Sequence, residues 1–109
     1  MINSNQQKLQ QAVTAHKEGK LEEAESVYRE ILEIEPTQLD ANNNLGVLLY
    51  ETNRLEEAEK IIKKAIELMP NYAVAHNNLG NTQKSLSKLE EAETSYKKAI
   101  ELKPNYVQA

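Results

Sequence analysis

The chain has 109 residues, 28% of them charged, with a formal net charge of −4, three glycines, three prolines and no cysteine. The bases are interspersed with a larger number of acids, so no basic stripe follows a phosphate backbone, which argues against a nucleic-acid partner. The missing thiols exclude a disulfide framework and a cysteine-ligated metal, and no run approaches the ~20 apolar residues of a membrane span. The opening Met1 to Gln7 is uncharged and largely polar, unlike a secretory leader, and a cytoplasmic location is expected.

The first expected helix ends near Gly19, where the left-handed backbone that closes a helix suits glycine. Its Gln7, Lys8 and Gln11 give it a polar outer face, as a terminal cap of a stack requires. The second helix carries Leu21, Ala24, Tyr28, Ile31 and Ile34 at steps of three and four, which is one apolar stripe. Glu22 and Glu23 in its first turn and Arg29 further on suit the helix dipole, and Glu25 to Arg29 is an i,i+4 pair in the favoured order. Pro36 stops this helix and sets the turn that follows.

The pattern then starts again. A third helix contains Leu45-Gly46 and ends near Asn53; a fourth carries Leu55, Ala58, Ile62, Ala65 and Leu68 and is stopped by Pro70. A fifth contains Leu79-Gly80 and ends near Ser87; a sixth carries Leu89, Ala92, Tyr96, Ala99 and Leu102 before Pro104. A glycine inside a helix costs up to ~1 kcal/mol relative to alanine, so its return at one place predicts a helix crossing too close for a side chain. The phrase Leu-Glu-Glu-Ala-Glu begins at Leu21, Leu55 and Leu89, spaced by 34 residues, and the prolines share that spacing. Two independent markers of one period predict an all-α array of stacked units.

Little in the chain suggests chemistry. His16 and His76 have no cysteine or aspartate at ligand spacing and read as structural or solvated, so neither a metal nor a cofactor is expected. There is no nucleophile motif and no glycine-rich phosphate loop, and adjacent glutamates such as Glu22 and Glu23 diverge around a helix. The chain is expected not to be an enzyme.

The pattern His76, Leu79-Gly80, Gln83, Ala92, Tyr96, Ala99, Pro104, matched by Asn42, Leu45-Gly46, Leu49, Ala58, Ile62, Ala65, Pro70, resembles the tetratricopeptide repeat family. The likeness covers residues 5 to 106 and departs from the family at His76 and Asn42, where an aromatic residue is usual. It implies an all-α solenoid, three helix-turn-helix units at 5–38, 39–72 and 73–106 in a right-handed superhelix, with 107–109 beginning a fourth. Pro104 to Ala109 parallels Pro70 to Ala75, which reads as a fragment cut inside a longer array. Its last helix is then expected to expose Tyr96, Ile100 and Leu102, a patch for homodimerisation.

The resemblance also implies a concave groove lined by the first helix of each unit, where a protein or peptide binds. By register it holds Gln6, Leu9, Gln10, Val13, His16 and Lys17, then Asp40, Asn43, Asn44, Val47, Tyr50 and Glu51, then Val74, Asn77, Asn78, Asn81, Lys84 and Ser85. Each amide among them carries a donor and an acceptor and can clasp a peptide bond, one per unit along an extended chain. Tyr50 either anchors a ligand side chain or packs sideways on its own unit. The family's chaperone-binding members grip a terminal carboxylate, which would need cations at Leu9, Val74 and Asn78 and asparagines at Val13 and Asn44; only Asn44 fits.

Asn44 and Asn78 are instead similar to the asparagine ladder of protein O-linked N-acetylglucosamine transferases. The expected function is a binding module without catalysis of its own; the alternatives are the substrate-recognition arm of a larger protein-modifying transferase and a self-assembling scaffold. Replacing Asn44 and Asn78 together by alanine is expected to leave the melt nearly unchanged.

Overall fold

Six helices of 13 or 14 residues follow one another in the computed structural model, which describes residues 4–102. They are α1 (Ser4–Lys17), α2 (Leu21–Ile34), α3 (Leu39–Glu51), α4 (Leu55–Leu68), α5 (Ala73–Ser85) and α6 (Leu89–Leu102), and no strand occurs among the described residues. No described helix is long and apolar enough to cross a membrane. Pro104 and residues 107–109, where a fourth unit is expected to start, lie outside the described residues.

Each odd-numbered helix closes the way its sequence predicts. Gly19, Asn53 and Ser87 have φ of +79°, +63° and +63°, and the amides just beyond, of Lys20, Arg54 and Lys88, each return 2.8 Å to the carbonyls of Ala15, Leu49 and Gln83. That six-to-one bond satisfies carbonyls the helix end leaves open and turns the chain back along its own helix. The pairs α1/α2, α3/α4 and α5/α6 result, and successive pairs pack through α2 against α3 and α4 against α5. The stack measures 41 × 28 × 23 Å, elongated as an all-α solenoid of three units should be.

The pairs cross closely at the glycines. A Cβ on Gly46 would strike the Ile62 side chain, and one on Gly80 would lie 2.8 Å from Cδ1 of Tyr96. Ala12, fully buried, holds that place in the first pair. Small residues on the odd helices, Ala41 and Ala75 among them, meet Tyr28, Ile31, Leu45, Leu48, Leu49 and Ile62 in one continuous core.

His76 and Asn42, the departures from the expected aromatic, share a task. Asn42 Nδ2 donates to the carbonyls of Pro36 and Gln38, at 3.0 and 2.9 Å, and His76 Nε2 donates to the carbonyl of Pro70 at 2.8 Å. Each ties its helix to the proline turn that precedes it.

The two junctions between pairs are built differently. At the first, Arg54 grips Glu25 with two bonds of 2.7 Å, Arg29 adds one of 2.9 Å, and both arginines reach Glu57. Hydrogen bonding from Arg54, with Arg29 behind it, holds the Glu25 carboxyl at about 2. At the second, Gln83 and Ser95 stand where the first has Leu49 and Ile61. Ser95 Oγ donates to Gln83 Oε1 at 2.7 Å, Gln83 Nε2 donates to Glu59 at 3.3 Å, and Lys88 reaches Glu59 at 2.7 Å. Burial pushes the Glu59 carboxyl up, but these bonds and nearby Lys63 outweigh it and leave it below its ordinary value.

The apolar stripes do not bury along their whole length. Ile34, in the last turn of α2, is 66% exposed, whereas Leu21 and Leu55 are half-buried. Their counterpart Leu89 is 65% exposed, with no described helix beyond α6. The expected terminal patch of Tyr96, Ile100 and Leu102 is therefore corrected. Ile100 is exposed and Leu102 half-buried, but the Tyr96 ring turns inward over Gly80, and Leu89 replaces it on the open face.

Candidate binding groove

Helices α1, α3 and α5 stand side by side with α3 touching both others, and their common face carries two adjoining depressions. The first, of about 330 Å³, lies between α1 and α3 and is lined by Val13, His16, Lys17, Tyr28, Asn44, Val47 and Glu51. The second, of about 220 Å³, lies between α3 and α5 and is lined by Val47, Tyr50, Glu51, Asn78 and Asn81. Val47 and Glu51, one turn apart on α3, form the wall the two share.

In the first depression His16 bridges the pairs. Its Nδ1 lies 3.2 Å from the Tyr28 hydroxyl and its Nε2 2.6 Å from Glu51 Oε1. With Nε2 carrying the proton to the carboxylate, Nδ1 accepts from the phenol, so a directed chain of hydrogen bonds runs from α2 through α1 to α3. Burial raises the Tyr28 hydroxyl to about 12, partly countered by the Asn44 side chain beside it, and keeps this donor protonated. Beside the second depression, which it does not line, the Tyr96 hydroxyl donates to Asn81 Oδ1 at 2.5 Å, and burial likewise raises its pKa.

Of the residues expected along the groove, Asn44, Val47, Tyr50, Asn78 and Asn81 line these depressions. Gln10, Asn77 and Lys84 line neither, nor do Gln6, Leu9, Asp40, Val74 and Ser85, and Gln10 and Lys84 are exposed. Asn43 is only 4% exposed, and its Oδ1 accepts from Asn78 Nδ2 at 3.2 Å. Asn78 thus supports a buried amide, and its truncation does not leave stability untouched: an orphaned buried acceptor costs about 1–3 kcal/mol. Tyr50 leans on the core with part of its ring and walls the second depression with the rest.

Tyr28 was legible as a stripe residue but not as a groove residue. Its hydroxyl reaches the first depression from α2, and the equivalent Tyr96, lying over Gly80, stops at Asn81, which lines the second. The available signal was a phenol at two of three equivalent positions, with Ile62 at the other. Among the described residues no group of three or more metal-ligating side chains converges.

Comparison with known proteins gives a consistent picture. A tetratricopeptide repeat model matches residues 15–79 and another matches 73–106. The structure of the first such domain of Spaghetti (RPAP3), bound to the HSP90 peptide SRMEEVD, superimposes with a TM-score of 0.90 at 26% identity, over 93% of this chain and 80% of that one. The second domain, bound to the same peptide, gives 0.89 at 25% identity over 93% and 94%. The crystal structure of MamA, at 24% identity, shares the fold with a TM-score of 0.91, over 95% of this chain and 61% of that one. No curated protein sequence matches significantly.

Proposed function

This chain belongs to the tetratricopeptide repeat family, and from that premise we propose that it is a protein-protein interaction module holding an extended segment of a partner along the face of α1, α3 and α5. The observation that carries this reading is the continuity of the two depressions across Val47 and Glu51. They offer apolar contact at Val13, Val47 and Tyr50 and amides at Asn44, Asn78 and Asn81, the mixture that suits a peptide backbone with alternating side chains. Peptide-bound relatives of the same fold support it. Gln10, Asn77 and Lys84 form the rim of this proposed site, and Asn43 holds Asn78 in place from behind. The module acts by holding its partner; no bond is made or broken.

A carboxyl-terminal acidic peptide is not the expected ligand. Where a terminal carboxylate would need cations this chain has Leu9, Val74 and Asn78, and an uncharged wall does not offset desolvation of the anion. The test is capture of partners on the immobilised chain, followed by titration of the recovered segment against wild type, Asn44→Ala and Val47→Arg. The arginine fills the wall common to both depressions and is expected to abolish binding; loss of the Asn44 amide should weaken it by about 1 kcal/mol, several-fold in Kd. Circular dichroism melts of all three report that the fold is kept. Undiminished binding by Val47→Arg moves the interaction off this face.

A further inference from the structure

The depression between α3 and α5 has a chemistry of its own. Glu51 is the charged residue among the five that line it. His16 takes its Oε1, yet the side chain remains 47% exposed and meets solvent in the groove. Asn78 spends its N–H end on Asn43, which leaves the carbonyl end of that amide for a ligand. Tyr50 supplies an aromatic wall. Lys17 lines the neighbouring depression and Lys84 neither, so no lysine lines this one.

A carboxylate, an amide carbonyl and an aromatic ring around about 220 Å³ make a receptor for a cation on a long stem. We infer that this depression takes a basic side chain of the bound segment, arginine above all. The guanidinium brings five N–H donors in a planar fork, which meets Glu51 and the Asn78 carbonyl edge-on while its face lies on Tyr50. Lysine brings the charge without the plane and binds second. The net charge of −4 attracts such a segment from a distance.

The inference rests on the groove reading, and one experiment separates their fates. Decapeptide pools, random except for a fixed central arginine, lysine, citrulline or glutamate, are titrated by fluorescence anisotropy against the wild-type chain, Glu51→Gln and Tyr50→Leu. Citrulline keeps the shape of arginine without its charge. The arginine pool is expected to bind about tenfold more tightly than the citrulline pool, the weight of one charge-assisted hydrogen bond. That preference should shrink to about twofold or less in Glu51→Gln, and Tyr50→Leu should erase the advantage of arginine over lysine. Equal binding of the arginine and citrulline pools by wild type, or a preference that survives Glu51→Gln, overturns the inference while peptide binding stands. Failure of every pool to bind overturns the groove reading and this inference with it.

Discussion

Gly46→Ala puts the helix crossing of the middle pair to the test. On an exposed helix this change is favourable by up to ~1 kcal/mol, since alanine costs less backbone entropy. Here the new methyl points at Cγ1 of Ile62, which is fully buried and cannot swing into solvent. Forcing an extra carbon into a packed interior costs about 1–3 kcal/mol, so overpacking wins over propensity by about 1 kcal/mol. For a chain of this size that is a fall of about 4–8 °C in Tm. Gly80→Ala should be milder, because Tyr96 is half-buried and its ring has room to tilt. The assay is urea unfolding by circular dichroism in a double-mutant cycle with Ile62→Ala. That second change alone costs about 2–5 kcal/mol and removes the clash with the added methyl, so the double variant should lose about 2 kcal/mol less than the sum. Additive losses, or a higher Tm for Gly46→Ala, refute the crossing as described.

The ion-pair ring of the first junction predicts a pH dependence. The Glu25 carboxyl titrates at about 2 in the folded chain against 4.5, so its stabilisation is whole above 4.5 and drains away as the pH falls toward 2. The full difference corresponds to about 3 kcal/mol, which partial exposure and salt reduce to roughly 1 kcal/mol. Glu25→Gln should therefore unfold more easily at pH 7, with the gap to wild type closing below 4.5; a gap constant with pH contradicts the ring. Ser87→Gly should raise the urea midpoint, since serine at φ +63° carries a backbone strain that glycine lacks, worth about 0.5–1 kcal/mol. Gly19→Ala should do the opposite by about 1 kcal/mol, although the space around it is empty, because its φ is +79°. Unchanged midpoints for these two variants would mean that the caps are not left-handed in solution.

The fold was legible because its determinants are local and repeat. Gly19, Asn53 and Ser87 announce their caps by residue type and spacing, and Leu45-Gly46 and Leu79-Gly80 announce the crossings. The groove was half legible: register placed Asn44, Val47, Tyr50, Asn78 and Asn81 on one face. What register cannot show is how far a side chain reaches. Asn43 and Asn44 are neighbours on one helix, yet only Asn44 lines a depression, because α5 lies over Asn43 and the Asn78 amide closes upon it. The Tyr28 hydroxyl enters from a second helix, and His16 meets Glu51 across 35 residues, distances at which periodicity carries no information. Leu89 looks identical to Leu21 and Leu55 in the pattern and differs only in having no described helix beyond it.

The contrast between the two junctions bears on how similar units find the right neighbour. A chain that repeats its own surfaces invites mispairing, one unit docking out of order or on a unit of another molecule. A glutamate clasped by two arginines marks one junction, and a serine-glutamine-glutamate chain marks the other. Docking α2 where α4 belongs would give Glu25 the single amine of Lys88 in place of the two-bond clasp of Arg54, and docking α3 where α5 belongs would set Leu49 against Glu59 and lose the Gln83 bond to its carboxylate. These polar contacts act as addresses, each favouring its own neighbour by hydrogen bonds that the shared apolar stripes do not supply.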